Sequence, residues 1–384
     1  MRGTGGTLNV VGTERRDRGH PPMEIAKEML GIETRKKILY LDQFFFSLAS
    51  KERRHDWVDD ALAIITELLD LQLLAIPYSS NHVAEADLYK NHRDALVTFI
   101  QRFSRAHQFE SYYRVEETQI LKAFQAFLAG KPPQYVKEER DVISTSVHDW
   151  DEKYSVSVFT AESGFDRKRA FKQHSVDALL DVLDDWSNSS NTFEQDMELE
   201  FHDAAQIFVD EYAKRAARLS CGDLAALIDS PIAADVVEGL VIVATDLRVD
   251  LRSIGAFFAS QHFKEIPSQQ LSARLYSNFK QRLRKKAISL PAVREERETK
   301  YSGLMFDVSH ASTYAPYCDA FFADKAMADL MKDDCVAVEK NYGCKVFSAA
   351  SRDEFFKWLT DLKANMTPEH AVDLRQEYTR YRKP

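Results

Sequence analysis

Acidic residues follow two short apolar segments that lie far apart in the chain. Asp42 comes directly after the segment Ile38–Leu41, and Asp324 comes directly after the segment 320–323. Both segments have the composition of buried β-strands. A carboxylate at the end of a buried strand is costly to bury as an anion unless a cation or hydrogen bonds compensate its charge. These two residues are therefore the first candidates for a site that does chemistry.

Further acidic residues have positions that would bring them to the same site. Glu85 falls early in a predicted helix that follows an apolar segment, and Asp307 begins the predicted helix that precedes the segment 320–323. Asp319 directly precedes that segment and is a fifth candidate metal ligand. Ligands of parallel α/β sheets bind beyond the carboxyl ends of the strands, so we expect these acids to converge. Carboxylate oxygens suit Mg²⁺ or Mn²⁺, and these ions accompany phosphate-bearing substrates. The sequence thus predicts a metal-dependent phosphodiesterase.

The elements that would position these acids alternate between strands and helices at both ends of the chain. The predicted strands are 38–41, 73–79, 320–323 and 344–348. The predicted helices between and after them include 57–74, a helix capped by 79–81, 325–331 and 354–365. The middle of the chain has the apolar spacing of helices instead, including one continuous helix over Val237–Phe258. We therefore expect an α/β domain with a parallel sheet that is interrupted by a large α-helical insertion.

The expected domain boundaries follow from these patterns. Residues 1–34 have the composition of a flexible N-terminal extension, because they are Gly- and Arg-rich without an apolar core pattern. Residues 35–109 form the first part of the α/β domain, and residues 301–384 form its second part. The mainly helical insertion occupies residues 110–300 between them.

Four short motifs occur in an order that resembles the PIN-domain nucleases. They are an apolar strand ending in Asp, a Ser six residues before a Glu at a helix start, Asp-x-x-x-Ala on a helix, and a second strand ending in Asp. Here the motifs are Tyr40–Gln43, Ser79–Glu85, Asp307–Ala311 and Phe321–Lys325. The resemblance covers about 35–100 and 300–365. The chain differs from that family in its long insertion and in having Gln43 directly after the first acid.

This resemblance implies both a fold and an activity. The fold would be a Rossmann-like three-layer α/β/α arrangement. The acidic cluster would hold one or two Mg²⁺ or Mn²⁺ ions and hydrolyse phosphodiesters, most often in RNA. The resemblance makes Asp42, Glu85, Asp307 and Asp324 the catalytic, metal-binding set.

Basic residues near the second half of the predicted domain are candidates for holding a phosphate backbone. They are Arg282, Arg284, Lys285, Lys286 and Lys325, together with His310 as a phosphate contact. The same basic stretch could instead be only a solvated helix face. The expected partner is RNA or single-stranded DNA. A second copy of the chain or a regulatory protein is left open as a further partner.

The composition of the chain excludes some classes of protein but does not identify a function. The 384-residue chain is 45% hydrophobic and 29% charged, with a formal net charge of −9. This charge argues against a protein that coats nucleic acid, although a local basic patch suffices for a nuclease. No apolar run approaches the length of a membrane span, and no secretory leader is recognisable, so a cytoplasmic protein without a membrane partner is expected. The four cysteines have no metal-ligand spacing.

Two other functions remain open on the sequence. In the first, the PIN-like domain is a catalytically silent scaffold and the helical middle is a protein-interaction or regulatory module, for instance in bacterial defence. In the second, His82 and His310 join Glu85 and Asp307 in a histidine–carboxylate di-metal enzyme. Each histidine lies three residues from its acid, which places the two on one helix face. That arrangement would need four surrounding helices, whereas Asp42 and Asp324 follow strands.

Overall fold

A small parallel sheet built from both ends of the chain forms the centre of the computed structural model. The model describes residues 35–51, 54–86, 93–105, 107–143, 147–150, 183, 185–227, 230–285 and 304–381. The sheet contains β1 (Lys37–Leu41), β2 (Leu74–Ala75), β3 (Ala320–Phe322) and β4 (Lys345–Phe347). Their order is β2-β1-β3-β4, and every pairing is parallel. The predicted mixed α/β chain with a parallel sheet is confirmed, but the second strand is much shorter than predicted.

Helices connect and cover these strands. Those that follow β1 and β2 are α1 (Gln43–Ala49), α2 (Asp56–Asp70), α3 (Ser80–Ala86) and α4 (Arg93–Phe103). Those in the middle of the chain are α5 (Tyr112–Leu128), α6 (Phe193–Ser220), α7 (Ile232–Asp246), α8 (Arg252–Phe258), α9 (Gln261–Lys264) and α10 (Pro267–Lys285). Those around β3 and β4 are α11 (Leu304–Tyr314), α12 (Lys325–Lys332), α13 (Val338–Tyr342), α14 (Arg352–Ala364) and α15 (Pro368–Tyr381). Short 3₁₀ turns occupy 139–141, 224–227, 315–317 and 349–351.

The two faces of the sheet are both covered by helices. Because side chains alternate along a strand, Ile38 and Tyr40 of β1 face one side, and Leu39 and Leu41 face the other. The Leu39 face packs against α1, α2, α4 and α14, and the Tyr40 face packs against α10, α11 and α12. Fully burying each large apolar side chain in these layers contributes roughly 1.5–3 kcal/mol of transfer free energy.

The helical middle has a core of its own, but two of its helices also belong to the sheet. Aromatic and aliphatic side chains of α5 to α9 form a separate buried cluster, which includes Phe124, Phe208 and Phe257. Val115 of α5 and Leu275 of α10 pack instead in the cluster on the Tyr40 face of the sheet. The described residues accordingly all belong to one compact unit, and α10, which the domain prediction assigned to the insertion, covers the sheet.

The prediction of one long helix in this region is wrong. The span Val237–Phe258 is divided between α7 and α8, and Leu247–Leu251 connects them. Arg248 in this connection has a φ of 55°, a left-handed conformation that interrupts a right-handed helix. Apolar spacing continues through the break because both helices pack on the same cluster, so the pattern alone could not reveal it. Among the described residues, no helix is both long and apolar enough to span a bilayer.

Candidate functional site

The two predicted strand-end aspartates lie side by side where the direction of strand succession reverses. From β1 the chain continues to β2 on one side, and from β3 it continues to β4 on the other, so the reversal falls between β1 and β3. The backbone N–H of Asp42 donates to the carbonyl of Phe322 at 2.9 Å, which holds the carboxyl ends of β1 and β3 together. Open parallel sheets bind ligands at such a reversal.

Both aspartates begin a helix that follows their strand. Asp42 is the N-cap of α1, and its Oδ1 accepts from the backbone N–H of Gln43 at 2.7 Å. Asp324 is the N-cap of α12, and its Oδ1 accepts from the N–H of Met327 at 2.8 Å. The backbone N–H of Asp324 also lowers the pKa of the Asp42 carboxyl group. The two residues therefore have a structural role as helix caps in addition to any role in chemistry.

The charged form of the Asp42 carboxyl group is not fully compensated by its surroundings. Burial, the charge of Glu85 and the charge of Asp324 together raise the pKa of Asp42 from 3.8 to about 8. The hydrogen bonds from the N–H groups of Gln43 and Asp324 act in the opposite direction and are outweighed. The carboxylates of Glu85 and Asp324 thus each lie close enough to repel that of Asp42.

Asp307 is joined to this group through Asp324. The two residues line the same cavity of about 400 Å³, which lies between α10, α11 and α12. Asp307 sits in the first turn of α11, and its charge reaches Tyr276 of α10. The structure therefore brings Asp42, Glu85 and Asp324 together and places Asp307 beside Asp324 in the adjoining cavity.

Asp319 does not join the other four acids. Its Oδ2 accepts from the backbone N–H of Ile38 at 2.9 Å, and its Oδ1 pairs with the Lys37 ammonium at 2.7 Å. Both partners belong to the start of β1, so Asp319 lies at the amino end of the sheet, and Asp42 and Asp324 lie at the carboxyl end. The sequence suggested otherwise because Asp319 and Asp324 are close in number, but β3 lies between them and separates them by roughly 16 Å.

His310 is a buried neighbour of the acids. The residue is 1% exposed, its Nδ1 lies 3.2 Å from the hydroxyl of Tyr40, and its Nε2 lies 3.8 Å from Oε1 of Glu85. It is one helical turn from Asp307 on α11, and it therefore connects the helix of Asp307 to the helix of Glu85. His310, predicted as a substrate contact, is thus buried beside Glu85 in this structure.

The other histidine of the predicted di-metal arrangement has both ring nitrogens in use. The backbone N–H of Ser79 donates to Nδ1 of His82 at 2.9 Å, and Nε2–H of His82 donates to the carbonyl of Leu41 at 2.8 Å. Burial lowers the pKa of His82 from 6.5 to about 4, so the ring is neutral at ordinary pH. Since neither nitrogen has a lone pair left for a metal ion, His82 supports the backbone next to Asp42.

The predicted basic residues separate into different environments. Arg282 and Lys325 line the cavity beside Asp307 and Asp324, although Arg282 also pairs with Asp333 at 2.8 Å. Lys325 and Lys285 are exposed, and Lys286 lies outside the described residues. Arg284 instead forms an ion pair with Asp196, a carboxylate that is 1% exposed, and it also binds the Ser189 hydroxyl. Its role in this structure is to hold α10 to the start of α6.

Oxygen donors of this kind fit Mg²⁺ or Mn²⁺. Asp42, Glu85 and Asp324 offer only carboxylate oxygens, and the raised pKa of Asp42 shows that positive charge would be favourable there. Among the residues that the structure describes, no three aspartate, glutamate, histidine or cysteine side chains are grouped tightly enough to hold a metal ion together. Mg²⁺ does not require such a cage, because it is commonly held by one or two carboxylates with water and substrate phosphate completing its shell.

Three residues of the site were not identified as such from the sequence. Tyr40, Ser79 and Gln43 surround the acids, and the Gln43 amide is 4% exposed with no hydrogen-bond partner among the described residues. A tyrosine within an otherwise aliphatic strand was the one available signal, because a buried hydroxyl requires a polar partner. Gln43 follows Asp42 and precedes a run of three phenylalanines, so its burial is expected only once α1 is placed.

Comparison with known proteins adds no family to this geometry. No protein-family model, no curated protein and no solved structure matches the chain.

Proposed function

We propose that this protein is a metal-dependent phosphodiesterase that hydrolyses nucleic acid, RNA in preference to DNA, on a PIN-like α/β domain. The observation that supports it most is the position of Asp42 near Glu85 and Asp324 at the reversal of the sheet, where burial and repulsion by these two carboxylates raise the pKa of Asp42 to about 8. The order of strand-end and helix-start acids in the sequence supports the family, and the family resemblance supports RNA.

The residues have distinct parts in the proposed reaction. Asp42 and Asp324 would hold one Mg²⁺ or Mn²⁺ ion, and Glu85 and Asp307 would hold a second or orient the attacking water. Such an ion supplies activation of water near neutral pH and neutralises charge on the phosphate. Arg282 and Lys325 at the cavity would bind the phosphate backbone on either side of the cleaved bond. The products would carry 5′-phosphate and 3′-hydroxyl ends.

Calorimetric titration with Mn²⁺, combined with cleavage of labelled single-stranded RNA and DNA, tests the proposal. Wild type is compared with Asp42→Asn and Asp324→Asn, which keep the helix caps because asparagine caps as well as aspartate. Asp319→Asn is the matched control, since it removes a strand-end carboxylate at the opposite end of the same sheet. We expect Mn²⁺ binding and Mn²⁺-dependent cleavage in the wild type and the control, and loss of both in the two site variants. Equal indifference of all four proteins to Mn²⁺ would overturn the proposal.

The alternative of a silent scaffold with an interaction module has one observation in its favour. Several large aliphatic side chains of α6, α7 and their connections are exposed. They include Leu199, Ile207, Leu224, Leu227, Ile242, Leu247 and Leu251. Leu224 and Leu227 lie in the turn between the two helices and are 70% and 57% exposed, as at a contact with a second protein. Self-association measured by sedimentation, and lost in Leu224→Ser/Leu227→Ser, together with absence of Mn²⁺ binding, would favour this second function.

A further inference from the structure

The cavity beside Asp307 and Asp324 has an apolar lining that the proposed reaction does not use. The apolar side chains that line it come from α10, α11 and α12 and include Phe279, Leu283, Leu304, Met327 and Leu330. All five are buried and belong to the core cluster on the Tyr40 face of the sheet. Neither a phosphate group nor a hydrated metal ion gains free energy from contact with apolar side chains. The cavity can therefore hold an apolar group of a ligand in addition to a charged one.

The polar residues of the same cavity lie nearer to solvent. Lys325 is exposed, and Arg282 and Asp324 are partly exposed. Nη2 of Arg282 donates to the carbonyl of Asp329 at 2.6 Å and to the carboxylate of Asp333 at 2.8 Å, which fixes the guanidinium at the side of the cavity. The cavity thus combines an apolar interior with a charged rim.

A nucleotide matches both parts of this cavity. The volume of about 400 Å³ falls within the range of about 300–1,000 Å³ that is usual for small-molecule sites. A nucleobase is a flat ring with two weakly polar faces, and its ribose connects it to a negatively charged phosphate. Phe279 supplies an aromatic ring in the lining, and bases commonly stack on such rings in single-stranded nucleic-acid sites. The base would lie among the apolar side chains, and its phosphate would lie at the rim beside Arg282 and Lys325.

We propose that this cavity binds one unpaired nucleobase of the substrate, close to the phosphodiester that the acids cleave. The inference rests on the proposed function, since that function makes the ligand a nucleic acid. Asp324 both lines the cavity and acts on the charge of Asp42, so the base and the cleaved bond belong to the same or adjoining nucleotides. A base surrounded by side chains of three helices cannot stay paired in a duplex, and the substrate must be single-stranded at this nucleotide.

Binding of a short single-stranded RNA in EDTA tests the cavity without a metal ion or a reaction. The comparison ligand is a chain of the same length whose sugars carry no bases. We expect Phe279→Leu to weaken RNA binding at least about 5-fold, because it removes the aromatic face. Ala326→Trp should have a similar effect, because it places a large side chain at an exposed position of the cavity. Neither substitution should change the binding of the base-free chain.

Two controls separate these effects from damage to the fold. Ala217→Trp introduces the same side chain at an exposed position of α6, a helix that contributes no described residue to the cavity, and it should bind RNA as the wild type does. Thermal melting shows whether each variant is folded. Unchanged RNA binding in folded Phe279→Leu or Ala326→Trp would overturn the inference, as would an equal loss of binding for the base-free chain.

Cleavage in Mn²⁺ locates the base relative to the reaction. A single base-free nucleotide is moved one position at a time along a labelled RNA. We expect cleavage of a given bond to fall about 10-fold or more when the base-free nucleotide stands at one fixed position beside that bond. Phe279→Leu should cause no further loss with that substrate, because the base that it would contact is already gone. The same RNA in a duplex should be cleaved more slowly, since the base must first be unpaired.

The inference and the proposed function fail in different ways. Base-dependent RNA binding in EDTA without any Mn²⁺-dependent cleavage would overturn the proposed function and leave the nucleobase site in place. Mn²⁺-dependent cleavage that is indifferent to the position of the base-free nucleotide would overturn the inference alone. Equal cleavage of single-stranded and duplex RNA would do the same.

Discussion

Each end of the parallel sheet has an aspartate beside neighbouring strands, but the negative charge of the aspartate is compensated at one end and not at the other. At the amino end, Asp319 is matched by the ammonium of Lys37 and by a backbone N–H of β1. At the carboxyl end, Asp42 also receives backbone N–H groups, but it faces the carboxylates of Glu85 and Asp324. A strand-end carboxylate is therefore not a site in itself. Charge left over after local pairing is what distinguishes the carboxyl end.

Helix N-termini explain why acids can accumulate at only one of these ends. In β-α units the helix begins just past the carboxyl end of its strand. The first N–H groups of the helix donate hydrogen bonds to negatively charged groups and stabilise them. Asp42 and Asp324 each use such groups. This stabilisation keeps the acids in place without neutralising them, so a cation can still be bound.

The largest expected effect is on the pH dependence of stability in metal-free buffer. A carboxyl group whose pKa rises from 3.8 to about 8 on folding holds a proton that the unfolded chain has lost between these pH values. The free energy of unfolding of the wild type should therefore fall as pH increases from 4 to 8. Asp42→Asn removes this loss and should be more stable than wild type by about 3 kcal/mol at pH 8.5, after a discount for the partial exposure of Asp42.

Urea unfolding at pH 5 and pH 8.5 measures this difference. The neutral, buried His82 makes the folded state less stable as pH falls below 6.5, but it does so in both proteins and cancels from the comparison. If Asp42→Asn is no more stable than wild type at pH 8.5, the charge of Asp42 at the carboxyl end is as well compensated as that of Asp319 at the amino end.

A somewhat smaller effect on stability is expected when a divalent ion binds beside Asp42 and compensates the carboxylates there. Mn²⁺ at about 100 times its dissociation constant should stabilise the wild type by about 2.7 kcal/mol, since it binds only the folded state. Asp319→Asn should gain the same amount, and Asp42→Asn should gain almost nothing. Thermal unfolding with and without Mn²⁺ provides the measurement. A gain shared by all three proteins would place the ion elsewhere in the molecule.

At the amino end the same kind of substitution should have the opposite sign. Asp319→Asn loses the ion pair with Lys37 and weakens the bond from the Ile38 N–H, which are both favourable contacts. We expect a destabilisation of about 1–2 kcal/mol that is nearly the same at pH 5 and pH 8.5. Urea unfolding at the two pH values again provides the test, and stabilisation of this variant at high pH would remove the contrast between the two ends.

Much of the sheet and its connecting helices follows from local sequence signals. β1, β3 and β4 were predicted because short apolar runs end at polar residues, and α12 begins after Asp324 as predicted, whereas α1 was not predicted. The placement of Asp42 and Asp324 side by side also followed, since carboxyl ends of parallel strands share one edge of the sheet. These inferences depend only on periodicity and capping, which are local properties.

The remainder depends on contacts between distant residues. Asp319 was assigned to the wrong end of the sheet because nearness in sequence cannot show that a strand separates two residues. Arg284 was predicted on the surface, and its partner Asp196 lies 88 residues away in sequence. The contact of His310 with Tyr40, 270 residues away in sequence, was not predicted either. The break between α7 and α8 was missed because a single left-handed residue leaves the apolar spacing unchanged.

The smallest effect separates the capping role of Asp324 from its charge. At pH 5 Asp42 is protonated, so substitution of Asp324 relieves little repulsion and mainly tests the bond to the Met327 N–H. Asp324→Ala should lose about 1 kcal/mol of unfolding free energy there, and Asp324→Asn should lose only a few tenths. At pH 8.5 both variants should gain relative to wild type, because one of the charges facing Asp42 is gone. Equal urea-unfolding curves for the two variants at pH 5 would mean that the cap contributes nothing. Asp324 would then be retained at the carboxyl end for its charge alone.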